Sequence, residues 1–180
     1  RYEECRRFAG EGTERYPNVM LFPWWHGLAR ARGGEAEAGL RELEAIEQRF
    51  AMPWYVRRDI ANVYERLGRD AEAWGSYCAA AGSAGDLRGR IPMLACMGRL
   101  LERLERCSLA LDHLLLAWSL AAREERWAEF AMRSREEVEA FLERHATEPG
   151  LSHERRDAPP DPEPLLARCR QAWAESRLPA

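Results

Sequence analysis

The sequence predicts an all-α fold in which short helical hairpins stack into a solenoid, and three observations carry that prediction. First, a phrase closed by a small residue recurs along the 180-residue chain: Arg1-Tyr-Glu-Glu-Cys5, Gly33-Gly-Glu-Ala-Glu-Ala38, Gly68-Arg-Asp-Ala-Glu-Ala73 and Glu105-Arg-Cys-Ser-Leu-Ala110. The closing residues Cys5, Ala38, Ala73 and Ala110 stand 33, 35 and 37 positions apart, a period of about 34 that holds two helices and a tight turn. Neither helix of such a unit buries its apolar face alone, so the units must stack. Second, strand signals are scarce, because the one β-branched and aromatic cluster, Trp54-Tyr-Val56, heads a helical pattern. Third, glycine and proline punctuate the chain between periodic stretches at Pro17, Gly33-Gly34, Pro53 and Gly68.

The elements follow in order. Residues 1 to 16 read as a second helix of a hairpin whose first helix lies upstream, and Pro17-Asn18 ends it. Phe22-Pro-Trp-Trp25 opens the next helix with proline in its first turn, where a missing N–H is harmless. After Gly33-Gly34, Glu35 to Phe50 carries Leu40, Leu43 and Ile46 at helical spacing. Helices over 54–66 and 70–81 form the clearest hairpin, joined at Gly68, with Ala61 and Ala73 at its tight contact; lacking Cβ, Gly68 lets the chain leave a helix through the left-handed region. A longer connection, Gly82 to Gly89, widens the last interval. Another hairpin follows, with Glu105 at the glycine position and a second helix over 107–121. A break near 123–125 leads to a capping helix over 126–145, which lays Trp127, Phe130, Ala131, Val138 and Phe141 inward and turns Arg133, Arg135, Glu136 and Glu137 to water. Residues 1–146 thus form the solenoid, 147–164 a proline-rich linker, and 165–180 a short amphipathic helix with Leu165, Leu166, Cys169 and Trp173 on one face. That helix is expected to dock on the solenoid, on a partner or on a second copy of the chain.

The best unit reads Ile60-Ala61-x-x-Tyr64, Leu67-Gly68, then Ala73-x-x-x-Tyr77-x-x-Ala80. The next reads Leu94-x-x-Met97-Gly98-x-x-Leu101 and Ala110-x-x-x-Leu114-x-x-Ala117; the preceding one reads Phe22-x-x-Trp25-His26-x-x-Ala29 with Ala38 and a mismatched Glu42. This pattern resembles the tetratricopeptide (TPR) repeat over about residues 1 to 124. The resemblance implies a right-handed α-solenoid of about three TPR-like hairpins with a C-terminal capping helix, and a concave groove lined by first helices.

Composition narrows the function classes. All 27 basic residues are arginine; a GC-rich genome would account for such exclusion of lysine, yet every cation is then a planar fork suited to carboxylate or phosphate. A formal net charge of −3 argues against coating by nucleic acid. The five cysteines show no C-x-x-C pair and read as packed thiols of a reducing, cytoplasmic compartment. Leu109 to Ala122 is the longest apolar stretch and too short to span a bilayer, so no membrane association is expected.

Catalytic patterns are missing. His26, His113, His145 and His153 sit in separate units without metal spacing, and no glycine-rich phosphate loop or activated nucleophile is legible. The chain is therefore read as a non-enzyme without catalytic residues, metal ligands or cofactors. What remains is a surface. The TPR resemblance implies groove positions at Trp24, Gly27 and Arg30 in the first unit, at Tyr55, Arg58, Asn62, Glu65 and Arg66 in the second, and at Pro92, Ala95, Cys96, Arg99, Glu102 and Arg103 in the third. Trp24, Arg30, Tyr55, Arg58, Asn62, Arg66, Arg99 and Arg103 would make it basic and aromatic, suited to a protein or an acidic, extended peptide bound by an adaptor or scaffold. Two alternatives are a nucleic-acid-associated subunit and a regulatory subunit of a larger complex. Phe22-Pro-Trp-Trp25 and Ile60 to Gly68 are similar to segments of TPR modules in bacterial defence systems, which favours the former.

Overall fold

The computed structural model describes residues 1–50, 53–83, 87–148, 151 and 157–175. Among them the chain forms nine α-helices: α1 (Tyr2–Arg15), α2 (Leu21–Arg32), α3 (Ala36–Arg49), α4 (Trp54–Arg66), α5 (Asp70–Gly82), α6 (Ile91–Arg103), α7 (Cys107–Ala121), α8 (Ala128–Arg144) and α9 (Pro162–Glu175). Two 3-10 turns, Leu87–Arg90 and Glu125–Trp127, complete the described structure, and no strand occurs in it. The helices pack in consecutive pairs, as in a helical repeat, within two compact units: α1–α5 and α6–α9.

The repeat is written into the backbone at three turns. Gly34, Gly68 and Glu105 take φ of 110°, 69° and 58°, at intervals of 34 and 37 residues. The residue after each, Glu35, Arg69 or Arg106, donates its N–H to the carbonyl five residues back, on Arg30, Tyr64 or Leu101, which is the six-to-one bond of a Schellman turn. Those same three residues then start the next helix with nearly equal angles, φ from −93° to −101° and ψ from 56° to 65°. Glu105 thus occupies a position that favours glycine.

In the first unit Ala31, Leu40, Leu43, Ile46, Val56, Ile60 and Val63 form a common core, and Ala61 and Ala73 are fully buried as expected. The first hairpin corrects the sequence reading by one residue. Its close contact lies between Gly27 and Gly39, not at His26 and Ala38: a Cβ on Gly39 would come within 2.5 Å of the Ala31 nitrogen and the Gly27 carbonyl oxygen. Leu43, fully buried, therefore takes the inward place assigned to the mismatched Glu42. The same shift removes Gly27 from any open groove. In the second unit, the equivalent Gly98 lies under Leu114 and the Ala110 carbonyl, in the expected register.

Eleven of the fifteen residues of α7 are buried, so this helix is apolar all round and forms the centre of its unit, between α6, α8 and α9. In α8 the buried residues are Ala131, Ser134, Val138 and Phe141, while Trp127 and Phe130 are only half-buried. Glu137 was expected to face water; it is instead held by Arg99 of α6 at 2.7 Å. Arg135 is half-buried beside Glu139 rather than fully solvated.

The tail helix docks within its own chain. Leu165, Cys169 and Trp173 of α9 are buried. The indole Nε1 of Trp173 donates to Nε2 of His113 at 2.9 Å, Arg168 grips Asp112 at 2.6 and 2.8 Å, and Ser119 Oγ donates to the Pro160 carbonyl. Leu166 is half-buried. Of the segment read as linker, 160–162 is therefore part of the packed unit, while 149–150 and 152–156 lie outside the described residues, as do 176–180 of the tail.

Candidate functional site

The first unit gathers the aromatic residues of α2 and α4. Rings run in sequence from Trp25 to Trp24, Tyr55 and Trp54, with centroids 5.0, 5.0 and 6.0 Å apart, and the Arg58 guanidinium lies 5.6 Å from the Trp54 ring centre. Trp25 is 41% exposed; Trp24, Trp54, Tyr55 and Arg58 are half-buried. Such offset and tilted pairs stabilise each other by about 0.5–1.5 kcal/mol beyond area burial, so the ladder is a stiff surface.

Asp59 organises it. This carboxylate is 1% exposed, and its two oxygens divide the work: Oδ1 accepts from Arg58 Nε and Nη2 at 3.1 and 2.8 Å, Oδ2 from Trp24 Nε1 at 3.2 Å. One buried anion thus fixes an arginine and a tryptophan from two helices. The Tyr77 hydroxyl lies 2.6 Å from Asn62 Oδ1, one turn further along α4, and 2.6 Å from Glu65 Oε1, and its single proton is shared between these two acceptors. Arg66 is exposed and makes no ion pair among the described residues.

The other predicted site residues fall elsewhere. Arg30 joins a network between α2 and α3, pairing with Glu35 and Glu42 at 2.7 Å each while His26 Nδ1 meets the other Glu42 oxygen at 2.7 Å. The hydrogen bonds that Arg30 donates to Glu42 and Glu35 raise its pKa, and Arg30 lowers that of Glu35. His26 and Glu42 also line a cleft of about 400 Å³ with Gly10, Pro23, Ile46 and Phe50. In the second unit Arg99 reaches Glu137 and the Cys96 sulfur, Arg103 is exposed, and Ala95 is buried, so it offers no groove surface. Glu102 is taken up by Arg144 and His145.

Burial pushes the Cys78 thiol up to about 12 and holds that of Cys169 higher still, which fits packed, unreactive sulfur. Sequence reasoning missed Asp59, the residue that joins Trp24 to Arg58. The available signal was a lone acid inside an otherwise apolar stripe between Val56 and Ile60. It also missed the Cys107, His145 and Glu148 grouping at the junction of α7 and α8.

Together these features define an all-helical protein of consecutively paired helices with a counter-ion-supported aromatic surface. Compared with protein-family models, with curated proteins and with solved structures, the chain shows no significant match. Among the described residues no helix is long and apolar enough to cross a membrane.

Proposed function

We propose that the protein is a TPR-like binding module that holds an extended peptide segment of a partner protein against the α2–α4 aromatic surface, acting as an adaptor or scaffold. The observation that carries this reading is the ring ladder from Trp25 to Trp54 with Arg58 fastened beside it. Rigid aromatic surface offers contact area at low entropic cost, and arginine beside it supplies donors for backbone carbonyls or an acidic side chain.

Charge plays a smaller part than composition suggests. Arg30, Arg58 and Arg99 are each answered by a carboxylate of the same chain, which favours aromatic anchoring over phosphate recognition. Selection of a random peptide library on the protein, with counter-selection on Trp25→Ser, tests the reading. Peptides with acidic and apolar residues should be enriched on the parent protein alone, and their affinity should change little with salt. Equal enrichment on both proteins refutes the surface; preferential binding of single-stranded oligonucleotides with a steep log–log salt slope replaces peptide by nucleic acid.

A further inference from the structure

The start of α7 and the end of α8 bring a thiol together with an imidazole and a carboxylate that lie about 40 residues further along the chain. Cys107 is the first residue of α7, His145 follows the last residue of α8, and Glu148 closes the turn beyond it, its N–H donating to the His145 carbonyl at 2.9 Å. One ligand atom of each lies within 4.8 Å of the others. We propose that Cys107, His145 and Glu148 bind a zinc-like divalent transition-metal ion, with a fourth position left to water or to a partner's side chain.

Three features support the assignment. The Cys107 Sγ to His145 Nδ1 distance is 3.5 Å. A zinc ion bonded to sulfur at about 2.3 Å and to nitrogen at about 2.0–2.1 Å with a tetrahedral angle sets those atoms about 3.6 Å apart, so the two ligands already stand at the spacing the ion requires. The other imidazole nitrogen is committed: Nε2 lies 3.0 Å from Glu102 Oε1, so it carries the proton and leaves the Nδ1 lone pair toward Cys107. A carboxylate behind a histidine is the usual outer support of a metal-bound imidazole. Glu102 is itself fixed by Arg144 through Nε at 3.0 Å and Nη2 at 3.2 Å, and the Phe141 ring, 4.5 Å from the His145 ring centre, sets the imidazole plane.

The donor set selects the ion. Sulfur, nitrogen and oxygen donors in a small site suit zinc or cobalt, whereas magnesium and calcium require oxygen alone. The cysteine is 8% exposed and Glu148 is exposed, so the site has a dry thiol side and an open side through which an ion enters.

Cobalt(II) and zinc(II) titrations of the reduced full chain test the proposal. Cobalt should bind with one-to-one stoichiometry, showing thiolate-to-cobalt charge transfer in the near ultraviolet and the intense visible bands of tetrahedral coordination; zinc should bleach both. Cys107→Ser should abolish the charge-transfer band while retaining helical circular dichroism. Glu148→Gln should weaken binding, and Glu102→Gln, which touches no ion, should weaken it by about 10–100-fold while preserving the band's position. Absence of the band in the parent chain, or its persistence in Cys107→Ser through another cysteine, overturns the site. Zinc binding of equal strength in the parent and in Cys107→Ser does the same. Should Cys107→Ser fail to fold, alkylation rates decide: zinc must protect Cys107 from iodoacetamide in the parent chain, and undiminished labelling overturns the proposal.

Discussion

The junction of α7 and α9 should make the second unit sensitive to mild acid through one residue. His113 is fully buried, its Nδ1 lies 2.8 Å from the Leu109 carbonyl and its Nε2 receives the Trp173 indole proton. Nδ1 therefore carries the proton of the neutral ring, and a second proton at Nε2 would face a donor. Around it stand Asp112, already held by Arg168, and the Cys169 sulfur at 3.6 Å. Burial lowers the His113 pKa to about 4, against weaker raising effects from the Leu109 carbonyl and Asp112. Because the folded value lies below the unfolded one of about 6.5, the stabilisation is fully present above pH 6.5 and is lost as pH falls toward 4. A shift of this size corresponds to about 3.4 kcal/mol in total, of which about 1.4 kcal/mol is lost by pH 5.5, before most carboxylates titrate. Urea denaturation of the parent and of His113→Gln between about pH 7.5 and 5 isolates the effect. The variant should be less stable at neutral pH and the two stability curves should converge on acidification. Parallel curves over that range refute the buried, donor-facing imidazole.

Two further outcomes follow from local geometry. Glu105→Gly should stabilise the protein by about 0.5–1 kcal/mol in chemical denaturation, because Glu105 has φ of 58° at a turn where Gly34 and Gly68 serve elsewhere; a destabilised variant would mean that the side chain makes a compensating contact. Ending the chain at Asp157 removes Leu165, Cys169 and Trp173 from α7 and should lower the melting temperature and raise binding of a hydrophobic dye, since loss of a buried tryptophan alone costs about 3–5 kcal/mol. An unchanged melt would detach α9 from the unit.

How far the sequence carried depended on how local each signal was. The α7 limits, the Gly68 turn and the odd Glu105 turn were all readable, because capping and helical periodicity act over a few residues. The first hairpin was misplaced by one residue where two small residues adjoin: the repeated phrase pointed to Ala38, but only Gly39 lets the backbones approach to contact distance. The long-range side-chain pairings were not legible. Trp24 and Asp59 are 35 residues apart and Cys107 and His145 are 38; the repeat period aligns equivalent positions at that range but does not say which side chains meet. The groove positions implied by the repeat pattern therefore carried no sign of the acid that holds Trp24 and Arg58.

Those acids give the all-arginine composition a structural consequence. Arg58 spends two nitrogens on one oxygen of Asp59 and leaves the other oxygen for Trp24. Arg144 engages both oxygens of Glu102, one of which also receives His145. Arg168 spans both oxygens of Asp112, beside the histidine that holds Trp173. In each case a planar fork sets the orientation of a carboxylate beside an aromatic or imidazole group: at the α2–α4 aromatic ladder, at the thiol–imidazole cluster and at the tail clamp. A lysine would supply the charge as a point without that orientation. The absence of lysine can begin as a bias of genome composition, yet at these three positions the fold has come to use the geometry that only arginine provides.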